Sequence, residues 1–243
     1  LTKGSPLIAE IRAKAQETGL ELSNLAVGGN LLQPSDAEYE QEIRRLCDQV
    51  DLAHELGIKL MRHDIAFLPP DQATVERFET ELPRLVDGCR RVADYAAQYG
   101  ITTSIENHGF FVQLSERVLR IVQAVGRPNF KTTMDIGNFA CADEPSLSAV
   151  KRALPYASMI HVKDFYVRPE WNNPGEGWFR SAGGSYLRGA IVGQGDLPVR
   201  EILQYIRKSG YNGYLSLEFE GLEDCFTGSR YGLNFIRSVL SQA

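Results

Sequence analysis

The sequence predicts an α/β barrel, and three observations predict it. Strand-like and helix-like runs alternate strictly along the chain, the pattern of a parallel sheet with helices packed outside it. Four of the strand-like runs finish on a carboxylate or an imidazole, so polar chemistry recurs at successive strand ends. No Gly-rich phosphate loop of the dinucleotide or P-loop type follows any strand, which removes the main attraction of an open doubly wound sheet. A closed (β/α)8 barrel is the expected class, as a single domain over residues 1–243.

Each element has its own signal. Ser5-Pro6 places an N-cap before a first-turn proline, and Leu7, Ile11 and Ala15 recur at helical spacing as far as Gly19. Residues 21–27 read as a strand running into Gly28-Gly29-Asn30. Ser35 and Glu38 have capping-box spacing, and Ile43, Leu46, Cys47, Val50, Ala53 and Leu56 form one apolar face ending at Gly57. After a strand at 59–65, Phe78, Leu82, Leu85, Cys89, Val92 and Ala96 stay in helical phase, with Pro83 expected to kink or divide the helix. Strand 102–108, helix 114–126, strand 131–138, a helix between Pro145 and Pro155, and strand 158–164 follow. Beyond a long connection come helix 198–209, strand 214–220 and a closing helix with Leu233, Ile236, Val239 and Leu240 on one face.

That makes six strands where a full barrel has eight. The expectation is that a first strand-helix-strand segment is missing from this chain; a six-stranded variant would instead leave an exposed parallel edge to be covered.

Bulk properties narrow the partners. A net charge of -5 with no basic stripe disfavours nucleic acid and favours a small polar substrate. No apolar run approaches the ~18 residues of a membrane span, and no leader-like segment opens the chain. Cys47, Cys89, Cys141 and Cys225 lie far apart without a Cys-x-x-Cys pair, as buried free thiols in a reducing cytoplasm would.

Side chains alternate along a strand, so parity separates the two faces. Leu215, Leu217 and Phe219 form the set that meets the helices, leaving Ser216, Glu218 and Glu220 inward; Ser104, Glu106 and His108 share that inward phase, as do Met159, His161 and Lys163. Glu106, Asp135, His161 and Glu218 thus point toward the axis near their C-terminal strand ends, where barrel enzymes build their sites. Three gathered carboxylates repel unless a cation lies among them, and a divalent metal resolves this. Three oxygens and one imidazole suit Mn²⁺, Zn²⁺, Co²⁺ or Mg²⁺ without deciding between them. The competing account is four separate hydrogen-bonded strand ends with no shared site.

At this point Ser-Ile-Glu-Asn-His-Gly at 104–109, Met-Asp-Ile-Gly-Asn at 134–138, His-Val-Lys-Asp at 161–164, Gly-Gln-Gly-Asp at 193–196 and Leu-Ser-Leu-Glu-Phe-Glu-Gly at 215–221 resemble the sugar phosphate isomerase/epimerase family of xylose isomerase-like TIM barrels. Its members include ketose 3-epimerases, hydroxypyruvate isomerase and inosose dehydratase. The resemblance spans essentially the whole chain, is specific for the superfamily rather than the substrate, and makes the visible strands the third to eighth. It implies one divalent metal, Mn²⁺ or Zn²⁺ foremost, on Glu106, Asp135, His161 and Glu218. It also implies Glu106 and Glu218 as an acid/base pair that moves a proton across a sugar carbon through an enediolate held by the metal. An inosose-type dehydratase in the same site, and a sugar-binding barrel without turnover, are the alternatives.

The supporting positions are His108, which either touches substrate or bonds a loop; Lys163, for a substrate hydroxyl or phosphate or an ion pair with Glu220; Arg168, a substrate contact; and Glu220 itself, beyond Glu218. Asn138 stands where many metal barrels of the superfamily carry histidine, and His63 and Asp64 end a strand where either could line the pocket. The connection between Phe165 and Gln194, with Trp171, Trp178, Arg168 and Arg180, reads as a lid, an insertion or an oligomer contact; a homo-oligomer stays open. His54 lies on an apolar helix side and is read as structural.

Overall fold

The computed structural model describes residues 1–241. It divides into two compact units, Leu1–Val112 with Val118–Thr132, and Gln113–Arg117 with Thr133–Ala243. The secondary structure follows the predicted alternation in the first unit, and in the second three extra strands interrupt it within the long connection.

In the first unit, α1 (Leu7–Thr18), β1 (Leu25–Val27), α2 (Asp36–Leu56), β2 (Leu60–His63), α3 (Val75–Ala97) and β3 (Thr102–Glu106) follow one another. They lead through α4 (Ser115–Val125) to β4 (Phe130–Asp135). Within it the strand order is β1-β2-β3-β4. β1 pairs with β2 and β2 with β3 in parallel, Arg62 lying opposite Ser104.

Local chemistry explains the helix ends. Ser35 Oγ accepts the Glu38 N–H and donates to Glu38 Oε2 at 2.6 Å, the expected capping box. Gly57 closes α2 at φ 78°, where a Cβ would be strained. At α1 the expected hydroxyl cap is not made: Ser5 contributes its carbonyl to the Ile8 N–H, and the cap position is Pro6. Nor does Pro83 divide α3, which runs unbroken through it. The buried stripe of Phe78, Leu85, Cys89, Val92 and Ala96 outweighs the one backbone hydrogen bond that proline removes.

In the second unit a short 3₁₀ turn, Asn138–Ala142, follows β4. Then come α5 (Ser146–Ala153), β5 (Ala157–Val162), β6 (Asp164–Arg168), β7 (Phe179–Arg180), β8 (Tyr186–Ala190), α6 (Val199–Lys208), β9 (Tyr214–Leu217) and α7 (Cys225–Ser241). The parallel order here is β4-β5-β9, with His161 opposite Ser216. Leu217 and Phe219 meet α7 at Gly232 and Gly228, where a Cβ would strike them at 2.6 Å, so the apolar phase of β9 faces the helices as parity required. Among the described residues six strands lie in the parallel order, as the sequence predicted.

The long connection is not a featureless loop. β6, β8 and β7 make a separate antiparallel sheet in that order, with Tyr166 opposite Arg188 and Arg180 opposite Tyr186. The four cysteines are free, but only Cys89 and Cys141 are buried; Cys225 starts α7 in the open. His54 stacks on Tyr99 with centroids 4.2 Å apart, a structural role.

His63 sits fully buried beside Phe130, and burial pushes its pKa from 6.5 down to about 4. The folded state therefore prefers the neutral ring. Stability is complete above pH 6.5 and falls by roughly 3 kcal/mol as the pH drops toward 4. Denaturant midpoints measured over that range should show this slope, and His63→Gln should flatten it.

Candidate metal centre

Two groups of strand-end side chains form, one in each unit. In the first, β3 ends on Glu106, which is buried. Arg62, in phase on β2, donates from Nε to Glu106 Oε2 at 2.5 Å and from Nη1 to Asp64 Oδ2 at 3.3 Å. His108 continues the same phase, its Nδ1 lying 3.4 Å from Asp64 Oδ1, and that contact raises the imidazole pKa. His63 is one residue out of phase with Arg62, on the opposite face of β2, away from the Arg62–Glu106 pair. So Asp64 and His108 join the Glu106 group, and His63 does not.

The sequence reading passed over Arg62. The signal was present, since residue 62 shares parity with Asp64 on a strand adjacent to the one that ends on Glu106. A strand-interior arginine was simply not recognised as a partner for a strand-end carboxylate.

The second group is built on Asp135, His161, Lys163, Glu218 and Glu220. Asp135 ends β4 and is fully buried; its Oδ1 accepts the N–H groups of Gly137 at 2.7 Å and Asn138 at 2.8 Å, which fixes the carboxylate's direction. Asn138 lies in the 3₁₀ turn and turns its amide oxygen to Lys163 Nζ at 3.3 Å. That buried ammonium also lies 3.5 Å from Asp135 Oδ2, 3.2 Å from Glu218 Oε2 and 3.1 Å from Glu220 Oε1. His161 Nδ1 approaches Glu218 Oε2 at 3.4 Å.

The charges explain each other. Burial alone would depress the Lys163 pKa, yet Asp135, Glu218 and Glu220 together hold it above the ordinary lysine value. Glu218 is held well below the usual carboxylate range, first by its hydrogen bond to His161, against burial, and then by Lys163. The expected ion pair between Lys163 and Glu220 is made.

Asp164, next in sequence, was also passed over. Its Oδ2 accepts the N–H groups of Gly193 and Gly195, each at 2.9 Å, and its Oδ1 that of Phe165 at 2.8 Å. The Gly-Gln-Gly-Asp loop closes on this carboxylate, and a Cβ at Gly195 would lie 2.3 Å from Asp164 Oδ1. Asp143, in the turn after Asp135, likewise accepts from Ser181 Oγ at 2.8 Å and Gly183 N at 2.6 Å, while Ala182 N–H bonds the Cys141 carbonyl. The antiparallel sheet is pinned at both ends. Arg168 is bonded to Asp196 Oδ2 at 2.8 Å.

The donor set suits a divalent ion without selecting one: carboxylate oxygens of Asp135 and Glu218 with the His161 imidazole and no thiolate. An ammonium at the centre of three carboxylates does what a cation must there, neutralising charge that burial makes costly.

A family model described as the xylose isomerase-like TIM barrel matches residues 3–239, and the chain belongs to that family. An inosose dehydratase of Bacillus licheniformis is 25% identical over 234 residues, covering 88% of this chain and 75% of its own length. Among solved structures, that of the IOLI protein with a binding zinc atom superposes with TM-score 0.76 at 17% identity, over 98% of this chain and 83% of that one. That of D-psicose 3-epimerase in the presence of D-fructose gives TM-score 0.74 at 20% identity, over 97% and 84%. At these identities the solved structures show the fold alone. No helix among the described residues is long and apolar enough to cross a membrane.

Replacing Lys163 by Met removes the counter-charge from Asp135, Glu218 and Glu220. The expected result is a loss of about 3 kcal/mol or more at neutral pH, measured by chemical denaturation. Part of it should return as the medium is acidified through the carboxylate range, because the unpaired carboxyls then take up protons.

Proposed function

We propose that the chain is a divalent-metal-dependent isomerase or epimerase acting on a sugar or polyol carbonyl by α-proton abstraction. Glu106, Asp135, His161 and Glu218, each offering one ligand atom, would hold the ion. The observation that carries the reading is the meeting of buried Asp135 and half-buried Glu218 at one ammonium, with buried His161 against Glu218, and Glu106 ending β3 as a further buried carboxylate. Family membership supports the enzyme class. When bound, the ion supplies a Lewis-acid charge that makes a proton α to a carbonyl acidic.

The protein's own groups divide the remaining work. Glu106, oriented by Arg62 through Oε2, and Glu218, kept ionised by His161 and Lys163, are the two carboxylates that give and take the proton. Asp135 is aimed by its two backbone N–H donors. Lys163 and Asn138 lie together and offer a polar contact for a substrate hydroxyl, with Glu220 behind them. His108, bonded to Asp64, serves the Glu106 side. Zn²⁺ and Mn²⁺ are the foremost candidates for the ion, with a relative's zinc in favour of the first.

A dehydratase is the second reading, favoured by the inosose dehydratase relative that spans most of the chain. It would begin with the same proton abstraction and then expel a hydroxyl. Product analysis separates the two, because an epimerase returns an isobaric sugar and a dehydratase a product lighter by one water.

Metal analysis after mild purification should find about one equivalent of divalent ion, or affinity for added Mn²⁺, Zn²⁺ or Co²⁺. A protein that neither carries nor takes up such an ion has no metal centre of this kind. Glu106→Gln should keep the circular dichroism spectrum and lose turnover of a ketohexose panel by about 10²-fold or more. An unchanged rate would remove Glu106 from the proton transfer.

A further inference from the structure

We propose that the antiparallel sheet carries an oxyanion-binding site built on Arg188, taking the carboxylate or phosphate monoester of a small ligand. The ladder register puts Asp164, Tyr166 and Arg168 of β6 on one face with Tyr186, Arg188 and Ala190 of β8, and with Arg180 of β7. Three arginines therefore share a face of a small sheet.

Two of them are already neutralised. Arg168 bonds Asp196 at 2.8 Å, and Arg180 lies 3.2 Å from Glu170 and bonds the Tyr186 hydroxyl at 2.8 Å. Arg188 is different. Among the described residues its side chain makes no hydrogen bond or ion pair, and its Nε is buried without a partner. The carboxylates of the surroundings are committed elsewhere: Asp164 to the backbone of Gly193 and Gly195, Asp143 to Ser181 and Gly183, Glu220 to Lys163.

What holds Arg188 is aromatic. Its guanidinium carbon lies 4.8 Å from the Tyr166 ring centroid and 5.3 Å from that of Trp178, which also meets Arg168 at 5.6 Å. Rings steady a guanidinium through its π face and leave its in-plane N–H donors unused. A partly buried cation with idle donors calls for an acceptor. The planar fork matches two oxygens of a carboxylate or phosphate. The pinning of the sheet through Asp143 and Asp164 keeps the fork in place, so binding pays little ordering cost.

Trp178 reports on the site. In the Trp171→Phe protein it is the single tryptophan, Trp171 being the exposed other one. The test uses this protein stripped of metal with a chelator, titrated separately with inorganic phosphate and with acetate, against sodium chloride at matched ionic strength. The expected result is a saturable change in tryptophan emission with one of the two oxyanions and none with chloride. Half-saturation should weaken at least tenfold in Arg188→Gln and stay within about threefold in Arg180→Gln. Should Arg188→Gln not keep the parent melting transition, Arg188→Lys, which keeps the charge and lacks the fork, takes its place with the same expected weakening. No saturable response to either oxyanion, or an undiminished response in the folded Arg188 variant, overturns the proposal. Because no metal is present, neither result bears on the metal centre.

Discussion

One buried ammonium organises the second unit. Lys163 lies among Asp135, Glu218 and Glu220, and the two fully buried charges, Lys163 and Asp135, would each be costly without a partner. The lysine gains more from three carboxylates than it loses by leaving water, and Glu218 stays ionised because His161 and Lys163 both face it. The same constraint acts in the first unit in a smaller form, where Arg62 answers Glu106 and Asp64. Charges inside a protein are balanced by counter-charges on adjacent strands.

Those strands hold the charges because backbone groups aim them. Asp135 is directed by the N–H groups of the turn it introduces, and Asp164 by the loop that returns from the antiparallel sheet. Two adjacent residues on one strand end therefore have opposite duties. Lys163 balances charge among the strand ends, whereas Asp164 is consumed in closing a loop. The antiparallel sheet, anchored at Asp143 and at Asp164, gathers arginines and aromatic rings.

Much of this was legible in the residues. Period-2 alternation made Glu106, His161 and Glu218 share a phase with Lys163 and Glu220, and the contacts of Lys163 and the packing of Leu217 and Phe219 on α7 follow that phase. The capping box at Ser35, the stop at Gly57 and all six parallel strands came from signals a few residues long. Pro83 does not divide α3, because a buried stripe that only packing could value outweighs the hydrogen bond the proline removes.

What the sequence by itself determined is the alternation of strand and helix and the face each strand-end residue takes, because both depend on backbone geometry over a few residues. Tertiary structure alone decided which opposite charges meet. Arg62 reaches Glu106 across 44 positions, Asp164 closes on glycines 29 and 31 residues on, and Arg188 finds rings but no carboxylate. Such pairings are set by the register of neighbouring strands, and register is a property of the folded sheet.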